Sequence, residues 1–124
     1  MVRVDYHTHS NYSDGQFLFS MVAAAERAGL DAIGFADHCH LSGDDELHGN
    51  RDELGFHLDL TYERRRRGIR RVEAQFDVRV FDAVEIDYLP TETDRITGFL
   101  DEADFDYAVG SVHQVNGQNV QRDS

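Results

Sequence analysis

The sequence has no lysine and no tryptophan, and its 124 residues include a single cysteine and a single proline. Because Cys39 has no second cysteine to pair with, the class of small secreted domains held together by internal disulfides is excluded. No apolar run is long enough to cross a bilayer, and no basic segment followed by an apolar one opens the chain. These absences favour a cytoplasmic globular protein in which Cys39 is a small buried side chain.

Positive charge is also scarce. All 12 basic residues are arginines, against 24 acidic residues, which gives a net charge of -12 at pH 7. Such a surface disfavours non-specific binding to nucleic acid or to an anionic membrane, although nucleic acid stays an alternative substrate because local basic patches can persist. An acid-rich, lysine-free composition suits a protein that is soluble in concentrated salt. We therefore hypothesise a halophilic source, which unfolding at low salt would support.

The size of the chain limits the architecture. With 40% hydrophobic and 29% charged residues, the composition is that of one globular unit. A chain of this length can bury roughly two thirds of its unfolded surface, which is enough for a core. A complete α/β barrel needs about 250 residues, so the sequence predicts a single domain that is too short to form one.

Hydrophobic periodicity predicts strands that alternate with helices. The predicted strands are residues 2–6, 32–36, 78–88 and 107–112, and the predicted helices are residues 16–28, 58–76 and 90–103. Gly29 is well placed to end the first helix. Alternation of this kind is typical of an α/β fold with a parallel sheet and right-handed crossovers.

The second predicted helix competes with a strand. Residues 54–62 alternate between apolar and polar, but a longer four-three-four spacing over residues 58–76 favours a helix. Arg65 is the polar member of this stripe, where the aliphatic stem of its side chain can cover apolar surface. Gly68 is expected to bend or interrupt the helix. The arginine-rich stretch at 64–71 is interpreted as a solvated helix face, with phosphate binding as the less favoured alternative.

Each predicted strand ends near a side chain that can bind a metal ion. In chain order these side chains are His7 and His9, His38, Glu85, and His113. Because the carboxyl ends of parallel strands converge on one face of an α/β fold, these groups should meet around one pocket. The sequence therefore predicts a metal site on that face.

Local spacing supports a metal site. His7 and His9 lie two residues apart, so on an extended backbone their imidazoles point the same way and can bind one ion. Glu85 could bridge two cations with its two carboxylate oxygens. Asp14 follows in a loop and could reach the same pocket. The commoner role for Asp14 and its neighbour Ser13 is to cap the following helix, and both roles stay open.

Other polar side chains receive simpler interpretations. Three aspartates are expected to bond to the backbone or to orient the histidines: Asp5, Asp37 and Asp87. For Asp87, one alternation step from Glu85, direct ligation is an equal alternative. Three histidines lie away from the strand ends and are expected to be surface or hydrogen-bonded residues: His40, His48 and His57.

Four segments of the chain form a recognisable set: His7-Thr8-His9-Ser10 with Ser13-Asp14-Gly15, Ala36-Asp37-His38, Val84-Glu85-Ile86-Asp87-Tyr88, and Gly110-Ser111-Val112-His113. In order and spacing they resemble the polymerase and histidinol phosphatase (PHP) family. The resemblance covers essentially the whole chain. The last segment, and the wide spacing between the second and third, are most similar to the histidinol-phosphatase branch.

The resemblance implies a fold and a chemistry. The fold is a distorted (β/α)7 TIM-like barrel, and the cofactors are up to three divalent metal ions, usually zinc, manganese or iron. The implied reaction is hydrolysis of a small phosphomonoester by a metal-activated water. A PHP-type nuclease or nucleotide phosphoesterase is one alternative. A non-catalytic truncated remnant is the other.

The resemblance also implies roles for individual residues. The implied ligands are His7, His9 and Glu85 for the first ion, Glu85 and His113 for the second, and His38 with Asp14 for the third. Glu85 and His113 are the implied catalytic residues. Asp14 stands where members of the family vary between aspartate and histidine.

Members of this family continue for roughly as many residues again, in a second half that supplies another histidine and an Asp-x-His pair. Residues 1–124 are therefore expected to form a single truncated PHP domain, the N-terminal half of the barrel, with about four parallel strands alternating with helices. An open half-barrel would expose two sheet edges and an apolar inner face, which predicts a homo-oligomer or aggregation. We expect weak metal binding and little turnover from this segment alone.

Overall fold

A computed structural model describes residues 2–41, 54–88, 90–111, 114–115 and 118–119. In chain order the elements are β1 (Val4–Thr8), α1 (Leu18–Arg27), β2 (Ala32–Cys39), α2 (Leu58–Glu73), β3 (Arg79–Asp87), a 3-10 turn (Pro90–Glu92), α3 (Thr93–Ala103), β4 (Tyr107–Ser111), β5 (Gln114–Val115) and β6 (Gln118–Asn119). Within the described ranges, no helix has the length and apolar character needed to cross a membrane.

The first four strands form a half-barrel in which parallel strands alternate with helices, as predicted. They lie in the order β1-β2-β3-β4, so each strand pairs with the next one along the chain. Each crossover contains a helix, because parallel neighbours need a long return connection. β5 and β6 pair separately as a short antiparallel ribbon.

Burial differs sharply between the centre and the edge of the sheet. All eight residues of β2 are buried, whereas no residue of β1 is. β2 and β3 pair over eight positions, and this register places His38 of β2 beside Glu85 of β3. The central strands therefore supply a rigid, buried base for the two side chains at their carboxyl ends.

β1 and β2 extend further toward the polar motifs than hydrophobic periodicity predicted. β1 reaches Thr8 and β2 reaches Cys39, so His7 and His38 lie inside strands rather than after them. The prediction ended these two strands where a polar segment begins, before His7 and before Asp37. In this sheet the backbone pairing continues past that point, to Thr8 opposite Phe35 and to Cys39 opposite Ile86.

α1 packs on the sheet through Leu18, Val22 and Ala25, which are buried. It ends at Arg27 with Ala28 as its C-cap, and Gly29 follows as the predicted stop, with a φ of 79°, a left-handed conformation that glycine adopts at little cost.

α2 is one continuous helix, so the strand alternative for residues 54–62 is wrong, and so is the expected interruption at Gly68. A Cβ atom at Gly68 would lie 3.1 Å from Cδ1 of Leu18 on α1. The glycine therefore marks a close approach between two helices and not a break.

The core consists of two clusters of apolar side chains. The first contains Leu18, Val22, Ala25, Ile33, Phe35, Ile69, Val78 and Val80. The second contains Cys39, Leu41, Leu58, Val84, Ile86 and Ile96. Tyr12 packs against both clusters, which fixes the loop between β1 and α1 to the body of the domain.

Arg65 corrects the interpretation of the arginine-rich stretch. Four of its arginines are exposed, as expected for a solvated face: Arg64, Arg67, Arg70 and Arg71. Arg65 is 0% exposed and is the largest fully buried side chain among the described residues. Its place in the apolar spacing of α2 decides its burial.

Candidate metal centre

Two histidines at the end of β1 face a carboxylate of β3. The pairing of β1 with β2 shifts register between Asp5 and Thr8, an irregularity of the kind that re-aims side chains. Nε2 of His7 lies 2.5 Å from Oε1 of Glu85, and Nε2 of His9 lies 3.4 Å from the same oxygen. The two imidazoles therefore converge on one carboxylate oxygen.

The other oxygen of Glu85 faces β2. Nδ1 of His38 lies 2.8 Å from Oε2 of Glu85. Glu85 thus directs one oxygen to His7 and His9 and the other to His38, which is the arrangement that a bridging carboxylate requires.

Asp14 reaches the same place from the loop after β1. Its Oδ1 lies 2.6 Å from Nδ1 of His9, and its Oδ2 lies 3.3 Å from Nε2 of His38. His9 and His38 are therefore each placed between the carboxylates of Asp14 and Glu85.

The capping role considered for Ser13 and Asp14 is wrong. The N-cap residue of α1 is Phe17, and no side chain caps this helix. The chain first makes a tight turn in which the backbone N–H of Ser13 donates to the carbonyl of Ser10 over 3.1 Å. This turn directs Asp14 toward the histidines instead of toward the helix.

Two overlapping groups of these side chains have the spacing of a metal site. One consists of His7, His9 and Glu85, and the other of His9, Asp14 and His38. Within each group the ligand atoms all lie within 4.8 Å of one another. Imidazole nitrogens and carboxylate oxygens suit zinc, manganese and iron, so the donor set fits the ions that the sequence motifs imply. His9 belongs to both groups, whereas the motifs implied it for the first ion alone.

The electrostatics of the site favour an ionised Glu85 and a protonated His9. Burial acts to raise the pKa of Glu85, but hydrogen bonds from His38, His9 and His7 outweigh it and hold this pKa well below its usual range. The pKa of His9 is raised above its usual value by its hydrogen bond to Glu85, which burial opposes and Asp14 reinforces.

The site opens to solvent through a pocket of about 690 Å³. All five metal-ligating candidates line it, together with Gln16 and Met21, which the sequence did not single out. The available signal was that Gln16 lies two residues after Asp14 and that Met21 lies on the first turn of α1. The pocket volume lies within the range of small-molecule sites.

The three aspartates expected to support the site have different positions. Oδ1 of Asp5 accepts a hydrogen bond from the backbone N–H of His7 over 3.1 Å. Asp37 is fully buried and bonds to the loop after β1 rather than to a histidine. Asp87 is buried with Oδ2 3.9 Å from Nε2 of His40, and it belongs to neither metal-ligand group of the described residues.

His40 is 4% exposed, so of its two expected roles the surface one is wrong. Its ring packs on Phe56, which also stacks on His38 with ring centroids 4.6 Å apart. Cys39 is buried in the second core cluster, as predicted.

The two remaining histidine predictions, for His48 and His113, lie outside the described residues. His57 is half-buried and pairs with β2 through an isolated backbone bridge to Cys39. It belongs to neither metal-ligand group of the described ranges.

A family model of the PHP domain matches residues 5–123 of the chain. The chain belongs to the PHP domain family. The resemblance carried by the four sequence motifs is thereby confirmed. No curated protein sequence matches this PHP domain.

Two solved structures share the fold. The histidinol phosphate phosphatase of Lactococcus lactis subsp. lactis, solved with zinc, L-histidinol and phosphate, is 24% identical with a TM-score of 0.76 over 93% of this chain. A protein of Listeria monocytogenes assigned as a histidinol phosphatase is 20% identical with a TM-score of 0.75 over 94% of this chain. The PHP domain described here spans 41% and 47% of those two chains, less than half of either.

Proposed function

We propose that this PHP domain provides the metal-binding part of a phosphoesterase of the histidinol-phosphatase type, which hydrolyses a small phosphomonoester. One observation supports this most directly. Three imidazoles and two carboxylates, from three neighbouring strands and one loop, converge on a single open pocket. Groups with perturbed pKa values that meet in a cleft are typical of functional sites.

The proposed ligands follow the two groups. One ion is held by His7, His9 and Glu85, and a second is faced by His9, Asp14 and His38, with the Glu85 carboxylate between the two. His113 is proposed, from its sequence motif alone, as a further ligand and, like Glu85, as a catalytic residue. Zinc is the first choice of ion because a structure of the same fold was solved with zinc.

Bound ions would supply positive charge to the phosphoryl oxygens and a water of lowered pKa to attack phosphorus. The residues of this chain prepare the site for them. The depressed pKa of Glu85 keeps its carboxylate ionised and able to accept a cation. His9 must release its proton before its nitrogen can bind metal, so metal affinity rises as pH rises through the raised pKa of His9.

The proposed substrate is small and carries one phosphate. A net charge of -12 repels a polyanion such as nucleic acid more strongly than a phosphomonoester. The shared fold with a structure that contains L-histidinol and phosphate points to a substrate of that class.

Each group of three side chains leaves coordination positions for further ligands and for substrate. We therefore propose that full activity needs additional βα units, supplied by further chain or by a second copy of this one. Pairing of two copies would also cover the strands at the sheet edges.

Zinc binding and turnover are measured together on the protein purified in high salt, with its oligomeric state determined by light scattering. Zn²⁺ affinity is obtained by competition with a chromophoric chelator. Phosphate release is followed with histidinol phosphate, mononucleotides and short oligonucleotides. We expect bound zinc, and release from histidinol phosphate ahead of the other substrates.

Glu85→Gln is compared with a matched control, Glu102→Gln. The control removes the same charge from an exposed position on α3. Only the first change should weaken zinc binding. Wild-type protein without zinc affinity would refute the proposed metal centre. Bound zinc with no turnover in any oligomeric form would support a non-catalytic remnant, and a preference for oligonucleotides would support a nuclease.

A further inference from the structure

A buried arginine of α2 reaches the two strands that carry His38 and Glu85. One guanidinium nitrogen of Arg65 donates to the carbonyl of Phe35 on β2 over 3.3 Å, and another donates to the carbonyl of Ala83 on β3. Each of these carbonyls lies two or three residues before the candidate ligand on its strand. Arg65 therefore connects β2 to β3 close to the metal centre.

The charge of Arg65 is balanced by two carboxylates that are themselves buried. One guanidinium nitrogen lies 2.8 Å from Oδ2 of Asp37 on β2, and the other lies 2.5 Å from Oδ1 of Asp82 on β3. A planar guanidinium can bond to two carboxylates in fixed directions, which the ammonium of a lysine cannot do.

The two carboxylates differ in what else they bind. The Asp37 carboxylate accepts hydrogen bonds from the backbone N–H of Ser10 over 2.6 Å, the hydroxyl of Ser10 over 2.7 Å and the hydroxyl of Ser13 over 2.7 Å. The Asp82 carboxylate bonds to Arg65 and to Nε of Arg66, both on α2. Of the pair, Asp37 is the one that holds the loop after β1.

The loop after β1 carries His9 and Asp14, which form the second metal-ligand group together with His38. The carbonyl of Ser10 accepts hydrogen bonds from the backbone N–H groups of Ser13 and Gly15, which closes residues 10–15 into a compact turn. A Cβ atom at Gly15 would lie 1.9 Å from the carbonyl oxygen of His9, so the turn packs directly against His9. The position of Asp14 is therefore fixed by a turn anchored on Asp37.

We propose that the ion pair of Arg65 with Asp37 positions the metal centre, by fixing the 10–15 turn so that His9 and Asp14 face His38. Arg65 and Asp37 are positioning residues that need not touch metal or substrate. The inference rests on the proposed metal function. It assigns Arg65 a role that the exposed arginines of the same helix do not share.

The deciding comparison is between Asp37→Asn and Asp82→Asn. Both variants remove one buried negative charge from Arg65, but only Asp37→Asn disturbs the anchor of the turn. Zn²⁺ affinity is measured by chelator competition in high salt, on samples that circular dichroism shows to be folded. We expect Asp37→Asn to weaken zinc binding by about 10-fold or more, the range typical of groups that orient metal ligands, and Asp82→Asn to leave it close to wild type.

A milder variant keeps the test decisive if Asp37→Asn does not fold. Ser10→Ala removes one hydroxyl hydrogen bond to Asp37 while the backbone N–H of residue 10 still donates to it. Ser20→Ala, at an exposed position of α1, is the matched control. We expect Ser10→Ala to weaken zinc binding several-fold with the control unchanged.

Equal loss of zinc affinity in Asp37→Asn and Asp82→Asn would overturn the proposal, because it would show that the ion pairs act through general stability. Unchanged affinity in both Asp37→Asn and Ser10→Ala would overturn it as well. Absence of zinc binding in the wild-type protein is a different result, which refutes the proposed metal function and this inference with it.

Discussion

Two clusters of charged side chains are each built around residues of β2 and β3, and they are neutralised in opposite ways. The arginine cluster consists of Arg65, Asp37 and Asp82, which are at most 2% exposed. The histidine cluster consists of His7, His9, Asp14, His38 and Glu85, and its pocket is open to solvent. In the first, the protein supplies a permanent cation. In the second, it supplies only imidazoles, which carry charge when protonated.

The difference separates a structural cluster from a functional one. A guanidinium stays charged at any physiological pH, so it satisfies buried carboxylates permanently. Imidazoles can exchange a proton for a metal ion, so the carboxylates beside them remain available. The two clusters share β2, where Asp37 and His38 are consecutive residues. One strand therefore delivers the anchor and the ligand to opposite faces of the sheet.

The largest expected effect comes from breaking the arginine cluster. Arg65→Met keeps much of the side-chain volume but leaves the carboxylates of Asp37 and Asp82 buried without their shared cation. We expect a loss of about 3–5 kcal/mol in the free energy of unfolding, measured by urea denaturation in high salt. A loss below about 1 kcal/mol would show that the two carboxylates can be hydrated or protonated without unfolding the protein. The arginine cluster would then not be the structural cluster that we contrast with the histidine cluster.

Breaking the histidine cluster should instead abolish stabilisation by metal. Zinc at about 100 times its dissociation constant should stabilise the wild-type protein by about 2.7 kcal/mol. His9→Ala should lose most of this gain because His9 belongs to both candidate groups. Thermal unfolding with zinc and with excess chelator gives the two values. Equal gains in wild type and variant would exclude His9 as a ligand.

The pH dependence of stability should sharpen the comparison in the metal-free protein. The pKa of His9 is raised above 6.5 in the folded state, mainly by its hydrogen bond to Glu85. The stabilising contribution of protonated His9 is therefore complete below pH 6.5 and is lost as pH rises through the folded-state pKa. The arginine cluster is the reference for this comparison because it contains no imidazole.

Urea midpoints of wild type and His9→Gln from about pH 5 to about pH 8 measure this contribution. We expect the wild type to lose its advantage over the variant as pH rises. A difference that stays constant over the whole range would contradict the assignment of His9 as the titrating group.

The smallest effect is expected within the arginine-rich stretch itself. Arg64 is adjacent to Arg65 but exposed, so Arg64→Ala should change the free energy of unfolding by no more than about 0.5 kcal/mol. Urea denaturation compares it directly with Arg65→Met. A large effect at Arg64 would mean that net positive charge on the helix, and not one buried ion pair, stabilises the fold.

The sequence pattern predicted parallel strands alternating with helices, and the convergence of His7, His9, His38 and Glu85, for one physical reason, whereas the half-barrel was implied by the family resemblance. Hydrophobic periodicity locates strands, and parallel topology then places their carboxyl ends together. Asp14 stayed ambiguous because an aspartate before a helix more commonly serves as its cap, and the structure excludes that role through the turn at Ser10 and the N-cap at Phe17.

For Arg65, hydrophobic periodicity indicated which face of the helix carries the side chain but not which residues the side chain contacts. Its spacing placed it in the apolar stripe of α2, which was the correct signal for burial. The composition of its neighbours, all arginines, favoured a solvated face. The partners that decide the matter, Asp37 and Asp82, lie 28 and 17 residues away in the sequence, on strands whose register one-dimensional patterns do not specify.

His38 of β2 is paired with Glu85 of β3, so zinc affinity should depend on the correct register between these two strands. Side chains alternate between the two faces of a sheet, so a slip of one residue would send either ligand to the helix-covered side. A chain with near-native secondary structure but shifted pairing would thus bind zinc poorly. Zinc titration during refolding could then report the moment at which β2 and β3 reach their native alignment, using no label other than the ion.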